Sequence, residues 1–173
     1  MMVKMEYASP VGLLTLASDG EAVTGLWLAG QTYFAAGIPT NLPACDDLPV
    51  FARARDWLDR YFAGERPEPG ALPLAPQGSA FRKRVWRVLC EIPYGQTVTY
   101  GEIARQLSVN SAQAVGGAVG HNPISIIIPC HRVLGADGSL TGYAGGLAAK
   151  QWLLRHEGAW GRNAAEQSLG HAD

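Results

Sequence analysis

The sequence predicts an α/β domain followed by a mainly helical domain. In the first thirty residues, short runs of alternating and β-branched side chains are typical of strands. In the second half, apolar residues recur at the spacing of amphipathic helices. Between the two lies RPEPGALPLAPQG, whose proline and glycine content is typical of a linker. We therefore expect an N-terminal domain over residues 1–77 and a C-terminal domain over residues 78–173.

Three strands and one helix are expected in the N-terminal domain. The strand segments are MVKMEYASP, GLLTLASDG and AVTGLWLAG, and Ser-Pro, Asp-Gly and Ala-Gly pairs mark their turns. The segment PVFARARDWLDRYFAGE carries large apolar residues on one side and charges on the other. This pattern predicts an amphipathic helix that ends near Gly64.

Capping residues mark the helices of the C-terminal domain. SAFRKRVWRVLCEIP begins with Ser79, a favourable N-cap residue. TYGEIARQLS begins with Thr99 and has Glu102 three residues later, which is the spacing of a capping box. NSAQAVGGAVG follows after a very short turn, and two helices joined so closely predict a helix-turn-helix. We then expect a strand of isoleucines and a last helix, GLAAKQWLLRHEG, which ends at Gly158.

The segment AVGGAVG has unusually small side chains for a helix. Gly116 and Gly117 lie at its centre, where each costs about 1 kcal/mol relative to alanine. Tight packing against another helix would explain them. Close approach of a large ligand, such as a sugar-phosphate backbone, would explain them equally well. The pattern alone leaves both explanations open.

The composition excludes several classes of protein. Of 173 residues, 47% are apolar and 17% are charged, which is enough for a sizeable core. No run approaches the ~18 apolar residues of a membrane span, and MMVKMEYASP lacks the apolar core of a signal peptide. We therefore expect a cytoplasmic protein with no membrane partner. Cys45, Cys90 and Cys130 are odd in number and far apart, which excludes a disulfide framework and a paired-cysteine zinc site.

The charge is unevenly divided along the chain. Residues 1–77 carry five Lys/Arg and nine Asp/Glu, a net of −4, whereas residues 78–173 carry nine and six, a net of +3. Four of these cations fall within six residues: Arg82, Lys83, Arg84 and Arg87. Such a cluster indicates either contact with a polyanion or an ordinary solvated helix face.

The segment IIIPCHRVLG places a nucleophile beside a base. Pro129 cannot donate to a strand ladder, so Cys130 is expected where regular structure stops. A thiol is only a few per cent thiolate at neutral pH, and a base such as His131 increases that fraction. Successive side chains of a strand point to opposite faces, so this pair needs an irregular backbone or a bridging water. Glu157, at the end of the last helix, is a candidate to orient His131.

A specific set of motifs runs through residues 78–159. Asn-Pro begins seven residues before Pro-Cys-His-Arg, and Gly-Tyr-x-Gly-Gly precedes a Lys-x-Trp-Leu-Leu helix. AVGGAVG, VTYGEIA and FRKRVWRVLCEIPYGQ extend the set towards the N-terminus. Together these motifs resemble the O6-alkylguanine-DNA alkyltransferases, particularly the bacterial, Ogt-like members. The N-terminal half matches this family only loosely.

The resemblance implies a ribonuclease-H-like N-terminal domain and a winged helix-turn-helix C-terminal domain. It also implies DNA repair by one irreversible transfer of an alkyl group from O6-alkylguanine, or less readily O4-alkylthymine, after base flipping. Cys130 would be the acceptor, and His131 would be a base linked to it through water. Glu157 would polarise His131, and Asn122 would hold the turn that carries the pocket. This chemistry needs no metal or other cofactor.

The resemblance further implies binding of double-stranded DNA through its minor groove, by a monomer with no obligatory protein partner. Tyr100 would rotate the 3′ phosphate and protonate the departing guanine oxygen. The glycine-rich helix would enter the groove, where small side chains fit. The residues expected against the groove are Ala114, Gly116, Gly117 and Ala118. The residues expected to line the base pocket, by ring or backbone, are Tyr143, Val133, Ala144 and Gly145.

Position 113 departs from the family pattern. Members usually have an arginine before AVGG that fills the gap left by the flipped base, whereas this chain has Gln113. Glutamine can hydrogen-bond the orphaned base, but it brings no charge and stacks less well. The turn before this helix is also about one residue shorter than usual.

Two other classes of function are to be weighed against alkyl transfer. The alkyltransferase-like proteins bind damaged DNA without catalysis, but they usually have tryptophan at the position of Cys130. A cysteine hydrolase would need an oxyanion hole and a route for turnover, and the sequence indicates neither. Retention of a labelled methyl group on the protein would separate the three classes.

Overall fold

The computed structural model describes residues 2–31 and 41–160. Its N-terminal half contains an antiparallel sheet of β1 (Val3–Ser9), β2 (Gly12–Ser18) and β3 (Val23–Leu28), in that order. Helix α1 (Pro49–Phe62) packs against this sheet. The expected strands and amphipathic helix are confirmed, and Gly64, with φ of 94°, directly follows the end of the helix.

The C-terminal half is mainly helical, as predicted. Its helices are α2 (Ala80–Cys90), α3 (Tyr100–Gln106), α4 (Ala112–Gly120) and α5 (Leu147–His156). Two very short strands, β4 (Val98–Thr99) and β5 (Val133–Leu134), pair in parallel. None of the helices within residues 2–31 and 41–160 is long and apolar enough to cross a membrane.

Both predicted helix caps are present. The Ser79 side chain accepts a hydrogen bond from the Arg82 amide at 3.1 Å. Thr99 and Glu102 form a capping box at the start of α3, with reciprocal hydrogen bonds of 2.9 and 3.1 Å. These bonds satisfy amide groups that the first helical turn leaves without partners. The boundaries of α2 and α3 therefore follow from local side-chain chemistry.

The two halves share one continuous apolar core and a backbone connection. All six residues of β3 are buried, because this strand is covered along its outer edge as well as on its faces. The Leu26 amide donates to the Pro123 carbonyl at 2.8 Å, and the Ser125 amide donates to the Leu26 carbonyl at 3.0 Å. The segment that leads to Cys130 is thereby held against the edge of the N-terminal sheet.

The isoleucine run does not form the strand that its composition predicts. Only Ile124 makes a β-bridge, to Leu26, and the chain then turns sharply, with Ile126 at φ of 72°. Two hydrogen bonds close this turn. The Ile127 amide donates to the Ser125 carbonyl, and the Ile128 amide donates to the Ile124 carbonyl. The apolar side chains are buried because the turn itself lies in the core, which a β-branched pattern does not distinguish from a strand.

The packing of β3 leads to a stability prediction. A Cβ atom at Gly25 would lie 2.0 Å from the ring of Trp27, which covers this position. We expect Gly25→Ala to lower the free energy of unfolding by about 1–3 kcal/mol through overpacking, as measured by urea denaturation. Gly70→Ala is the matched control, because a Cβ there meets nothing within 4 Å. Equal effects of both substitutions would contradict this account of β3.

Candidate active site

A turn built on Asn122 precedes the cysteine. The Asn122 side-chain amide donates to the Ile128 carbonyl at 2.8 Å and to the Ile124 carbonyl at 3.3 Å. Its side-chain oxygen accepts from the Ile124 amide at 3.0 Å. One buried side chain thus satisfies three backbone groups that lie too deep for bulk water. The turn delivers the chain to Pro129 and then to Cys130.

Cys130 lies at the start of a single 3₁₀ turn, Cys130–Arg132, and is 4% exposed. Burial raises the pKa of its thiol, and the nearby Asn122 side chain and the charge of Lys150 offset this only in part. The thiol is therefore protonated at neutral pH. To act as a nucleophile it has to give its proton to a base.

His131 is fully buried and bonded to a carboxylate. Its Nε2 lies 2.6 Å from Oε2 of Glu157. Because a carboxylate only accepts, Nε2 carries the proton, and Nδ1 keeps its lone pair. Burial lowers the pKa of His131 even though Glu157 acts in the opposite direction, so the ring is neutral. Nδ1 is buried and makes no hydrogen bond among the described residues, which leaves a proton acceptor available beside Cys130.

Arg132 compensates the buried charge of Glu157. Its Nε donates to Oε1 of Glu157 at 2.7 Å, and a terminal nitrogen donates to Oε2 at 3.1 Å. The other terminal nitrogen donates to the Ile92 carbonyl at 2.7 Å. Burial by itself would raise the pKa of Glu157, but His131 and Arg132 together hold it well below its ordinary value. Sequence reasoning assigned no role to Arg132, although it directly follows the Cys-His pair.

The N-terminal half contributes a further partner to the same carboxylate. The Tyr61 hydroxyl of α1 donates to Oε2 of Glu157 at 2.6 Å. Burial, followed by the Glu157 charge, raises the pKa of Tyr61 well above its usual value, so the phenol remains a donor. Tyr61 is one of the large residues on the apolar side of PVFARARDWLDRYFAGE, and nothing in that pattern connects it with the site.

Lys150 is a second buried cation near the cysteine. Its Nζ donates to the carbonyls of Val133 at 2.6 Å and Thr141 at 3.2 Å. Burial lowers its pKa to about 8. The sequence contained a sign of this burial, because Lys150 lies on the same side of α5 as the buried Leu153 and Leu154. These two bonds tie α5 to the segments on either side of the expected base pocket.

Of the residues expected to line the base pocket, Val133 and Tyr143 lie next to this centre. Val133 is buried in β5, and the Tyr143 ring stands edge-on to His131 with centroids 6.5 Å apart. The Tyr143 hydroxyl is buried without a hydrogen bond of normal geometry to a described residue. A Cβ at Gly145 would come within 2.9 Å of both Tyr143 and Leu28, so glycine is needed there. Ala144 is half-buried beside it.

Tyr100, at the first position of α3, borders this region. Its hydroxyl accepts a hydrogen bond from Thr141 at 3.0 Å. Burial raises the pKa of Tyr100, so it is protonated at neutral pH and able to donate. Its ring faces Gly116 of α4, where an added Cβ would stand 3.8 Å away. Tyr100 therefore lies between the pocket and α4.

Helix α4 separates an inner from an outer face. Gln113, Ala114 and Gly117 are exposed and Gly116 is half-buried, but Ala118 is only 2% exposed. The Ala118 carbonyl accepts from the Trp86 indole at 2.8 Å. The expectation that Ala118 lies against a groove is wrong, because its side chain packs into the core between helices.

Internal packing does not require the two central glycines. A Cβ at Gly117 would meet nothing within 4 Å, and one at Gly116 would make only an ordinary contact with Tyr100. Of the two explanations for the small residues, tight packing against a neighbouring helix is therefore excluded at these positions. Of the two explanations, close approach of a large ligand is the one that stays open.

The basic cluster of α2 does not form one uniform face. Arg84 donates to the Leu107 carbonyl at 3.2 Å and thereby caps the end of α3. Lys83 and Arg87 border a cavity of about 400 Å³ between α2 and the linker. Arg84 and Arg87 are exposed, whereas Lys83 is half-buried. At least one member of the cluster thus has a structural partner.

The chain matches two family models over nearly its whole length. Residues 2–76 match the ribonuclease-like domain of 6-O-methylguanine DNA methyltransferase, and residues 80–159 match the DNA binding domain. A methylated-DNA--protein-cysteine methyltransferase of Haemophilus influenzae is 49% identical over 152 residues, covering 87% of this chain and 83% of the relative.

Solved structures from Mycobacterium tuberculosis are also similar. Its O6-methylguanine methyltransferase has 46% identity and a TM-score of 0.81, over 92% of this chain and 94% of that one. A structure of the OGT protein of that organism in complex with DNA has 45% identity and a TM-score of 0.77, with the same coverage.

The buried charge network leads to a pH-dependent prediction. We expect Glu157→Gln to lower the free energy of unfolding by about 3–5 kcal/mol at pH 7, because Arg132 stays buried without a countercharge. The folded pKa of Glu157 is depressed, so its contribution is complete above the ordinary value of 4.5 and is lost as pH falls through the folded pKa. In urea titrations, the difference in the free energy of unfolding between wild type and variant should therefore become smaller below pH 4.5.

A surface ion pair provides the control. Asp56 and Arg60 form an exposed pair at 3.1 Å. Asp56→Asn should change the free energy of unfolding by less than about 1 kcal/mol at any of these pH values. If Glu157→Gln changes the free energy of unfolding as little as Asp56→Asn does, or by an amount that does not depend on pH, the charge network as described is contradicted.

Proposed function

The chain belongs to the 6-O-methylguanine DNA methyltransferase family, and we propose that it repairs DNA by moving an alkyl group from O6-alkylguanine to its own Cys130. The observation that carries the assignment to Cys130 is its position beside a neutral His131 whose Nε2 is bonded to Glu157. The transfer occurs once per molecule, because the thioether that forms has no route back to a thiol. O4-alkylthymine is a lesser substrate in this proposal.

The reaction begins with proton removal from the thiol. Nδ1 of His131 takes the Cys130 proton through a water molecule, and the resulting imidazolium is stabilised by Glu157. Arg132 and Lys150 lie close enough to favour negative charge in this region. The sulfur then attacks the alkyl carbon in line with the bond to O6. A sulfur–carbon bond forms, and the carbon–oxygen bond breaks with its electron pair remaining on the guanine.

The departing guanine requires a proton. Tyr100 is a protonated phenol at the border of the pocket, and we propose that it protonates the guanine oxygen. Tyr143, Val133, Ala144 and Gly145 line the space for the flipped base. The residues of this mechanism supply every step, and it requires no cofactor.

DNA reaches this site along α4. We propose that α3 and α4 act as a winged helix-turn-helix that binds double-stranded DNA through the minor groove. The bare surface at Gly116 and Gly117 supports this placement, because packing among the described residues does not require their small size. Ala114 shares the exposed part of the helix, and Gln113 takes the gap left by the flipped base.

The proposal also covers the oligomeric state, the domain boundary and the cellular location of the protein. Action as a monomer is part of this proposal. The linker around residues 66–78 is the proposed boundary between a domain over residues 1–77 and a domain over residues 78–173. Residues 161–173 of the second domain lie outside the described part of the chain. A free thiol at Cys130 suits the reducing cytoplasm, where we place the protein.

Intact-protein mass spectrometry tests the transfer. After incubation with duplex DNA that contains O6-methylguanine, we expect each molecule to gain one methyl group, mapped to the peptide that contains Cys130. Cys130→Ser should abolish the gain, whereas Cys45→Ser and Cys90→Ser should not. DNA binding without any mass gain would indicate a lesion-binding protein, and catalytic release of the methyl group would indicate a hydrolase. Either result would overturn the proposal.

Gly117→Ala tests the approach of DNA to α4. The added methyl has free space in the protein, so it should raise the free energy of unfolding by about 1 kcal/mol through helix propensity. In the complex the same methyl would stand against the groove and weaken duplex binding by roughly tenfold, the effect of overpacking by about 1–2 kcal/mol. Gly70→Ala, in the exposed linker, is the control for binding. Unchanged affinity in Gly117→Ala would place the DNA elsewhere.

A further inference from the structure

We propose that Tyr61 is a positioning residue for alkyl transfer: its hydroxyl holds the Glu157 carboxylate in the orientation that keeps His131 ready as a base. This inference rests on the proposed function. It assigns a role in the chemistry to the N-terminal half, which otherwise contributes no group expected to touch the thiol or His131.

Tyr61 holds two consecutive residues at the end of α5. Its hydroxyl donates to Oε2 of Glu157 at 2.6 Å. Its backbone carbonyl lies 2.6 Å from Nε2 of His156 and accepts the proton of that ring nitrogen. Since one residue of α1 binds both a side chain and a ring from the same helix end, Glu157 cannot shift without breaking contacts on two sides.

The Tyr61 ring is itself fixed by its neighbours. It stacks on Trp57 with centroids 5.6 Å apart, meets Tyr94 edge-on at 6.1 Å and lies 5.1 Å from His156. Only 1% of the residue is exposed. A ring held on several sides presents its hydroxyl in one direction, so the hydrogen bond to Glu157 loses little conformational freedom when it forms.

The bond acts on the oxygen that His131 uses. Oε2 of Glu157 accepts from His131 at 2.6 Å, from Tyr61 at 2.6 Å and from Arg132 at 3.1 Å. Without the Tyr61 donor, the carboxylate is held only by Arg132 and His131, so it is less firmly oriented and less stabilised as an anion. A more basic carboxylate raises the proton affinity of His131, and a turned one misdirects Nδ1.

The surroundings of the pair determine the sign of the pH effect. The titratable or charged groups that face Glu157 or His131 come from α1, the 3₁₀ turn, α5 and two loops: Tyr61, Arg132, Lys150, His156, Tyr94, Tyr143 and Cys130. Tyr61→Phe changes only one of these groups. Since the transfer requires neutral His131, the rate should fall on the acid side at a higher pH in the variant than in wild type.

The experiment compares Tyr61→Phe with Tyr7→Phe. Tyr7 is the matched control, because its hydroxyl also donates to a carboxylate of α1, that of Asp59, at 2.6 Å. Asp59 has no part in the proposed chemistry. The rate constant for methyl transfer to the protein is measured at saturating O6-methylguanine duplex from pH 5 to 9, together with duplex affinity and the melting temperature. All rates are taken at a temperature at which melting curves show every variant folded.

We expect Tyr61→Phe to slow transfer roughly 5- to 30-fold and to shift the acid limb upward by about half a pH unit or more, with duplex affinity within about twofold of wild type. Tyr7→Phe should leave rate and pH profile unchanged. Equal slowing in both variants, or slowing that parallels a loss of affinity, would overturn the proposal in favour of a general structural role.

A double substitution separates action through Glu157 from any other route. In a Glu157→Gln background, where the carboxylate is absent, adding Tyr61→Phe should slow transfer by less than about threefold. If the two effects multiply, Tyr61 does not act through Glu157, and the inference fails. Wild type that gains no methyl group would instead overturn the proposed function, so the two failures are distinguishable.

Discussion

The buried carboxylate of Glu157 is the constraint on which the site depends. A charge removed from water has to be compensated by nearby charges and donors, and here it receives hydrogen bonds from Arg132, His131 and Tyr61. These partners come from the 3₁₀ turn and from α1, and Glu157 itself follows α5. Satisfying one carboxylate therefore fixes three segments against each other. The same bonds keep a proton on Nε2 of His131 and leave Nδ1 as the acceptor.

A second constraint is the position of the cysteine in the core. Burial raises the pKa of the Cys130 thiol, so the protein keeps it unreactive until a base removes the proton. The sharp turn on Asn122 carries the chain there, and the edge of β3 holds the approach to that turn. The N-terminal sheet thus supports the segment that leads to Cys130, while α1 supports Glu157. This arrangement explains why the two halves share one core.

Helix α4 has one face that packs in the core and an opposite face that is exposed. Val115, Ala118 and Val119 are buried against neighbouring helices, and the Trp86 indole binds the Ala118 carbonyl. The outward positions are bare enough that an added methyl at Gly117 would meet no atom of the described residues within 4 Å. The central glycines are unfavourable for a helix, and packing among the described residues does not require them. In the proposed function they leave room for the minor groove.

The sequence by itself determined the features that depend on near neighbours. Helix starts at Ser79 and Thr99, the amphipathic face of α1 and the pairing of Cys130 with His131 follow from spacings of a few residues, and the motif set indicated the family. Tertiary structure decided what depends on distant contacts. Tyr61 and Glu157 are 96 residues apart, so no local pattern joins them. The isoleucine run became a turn, Ala118 faced inward, and Arg132 and Lys150 became buried partners, because each outcome is set by which segments meet in space. Hydrophobic periodicity records that a residue is buried, whereas the residue it is buried against is decided only when the chain folds.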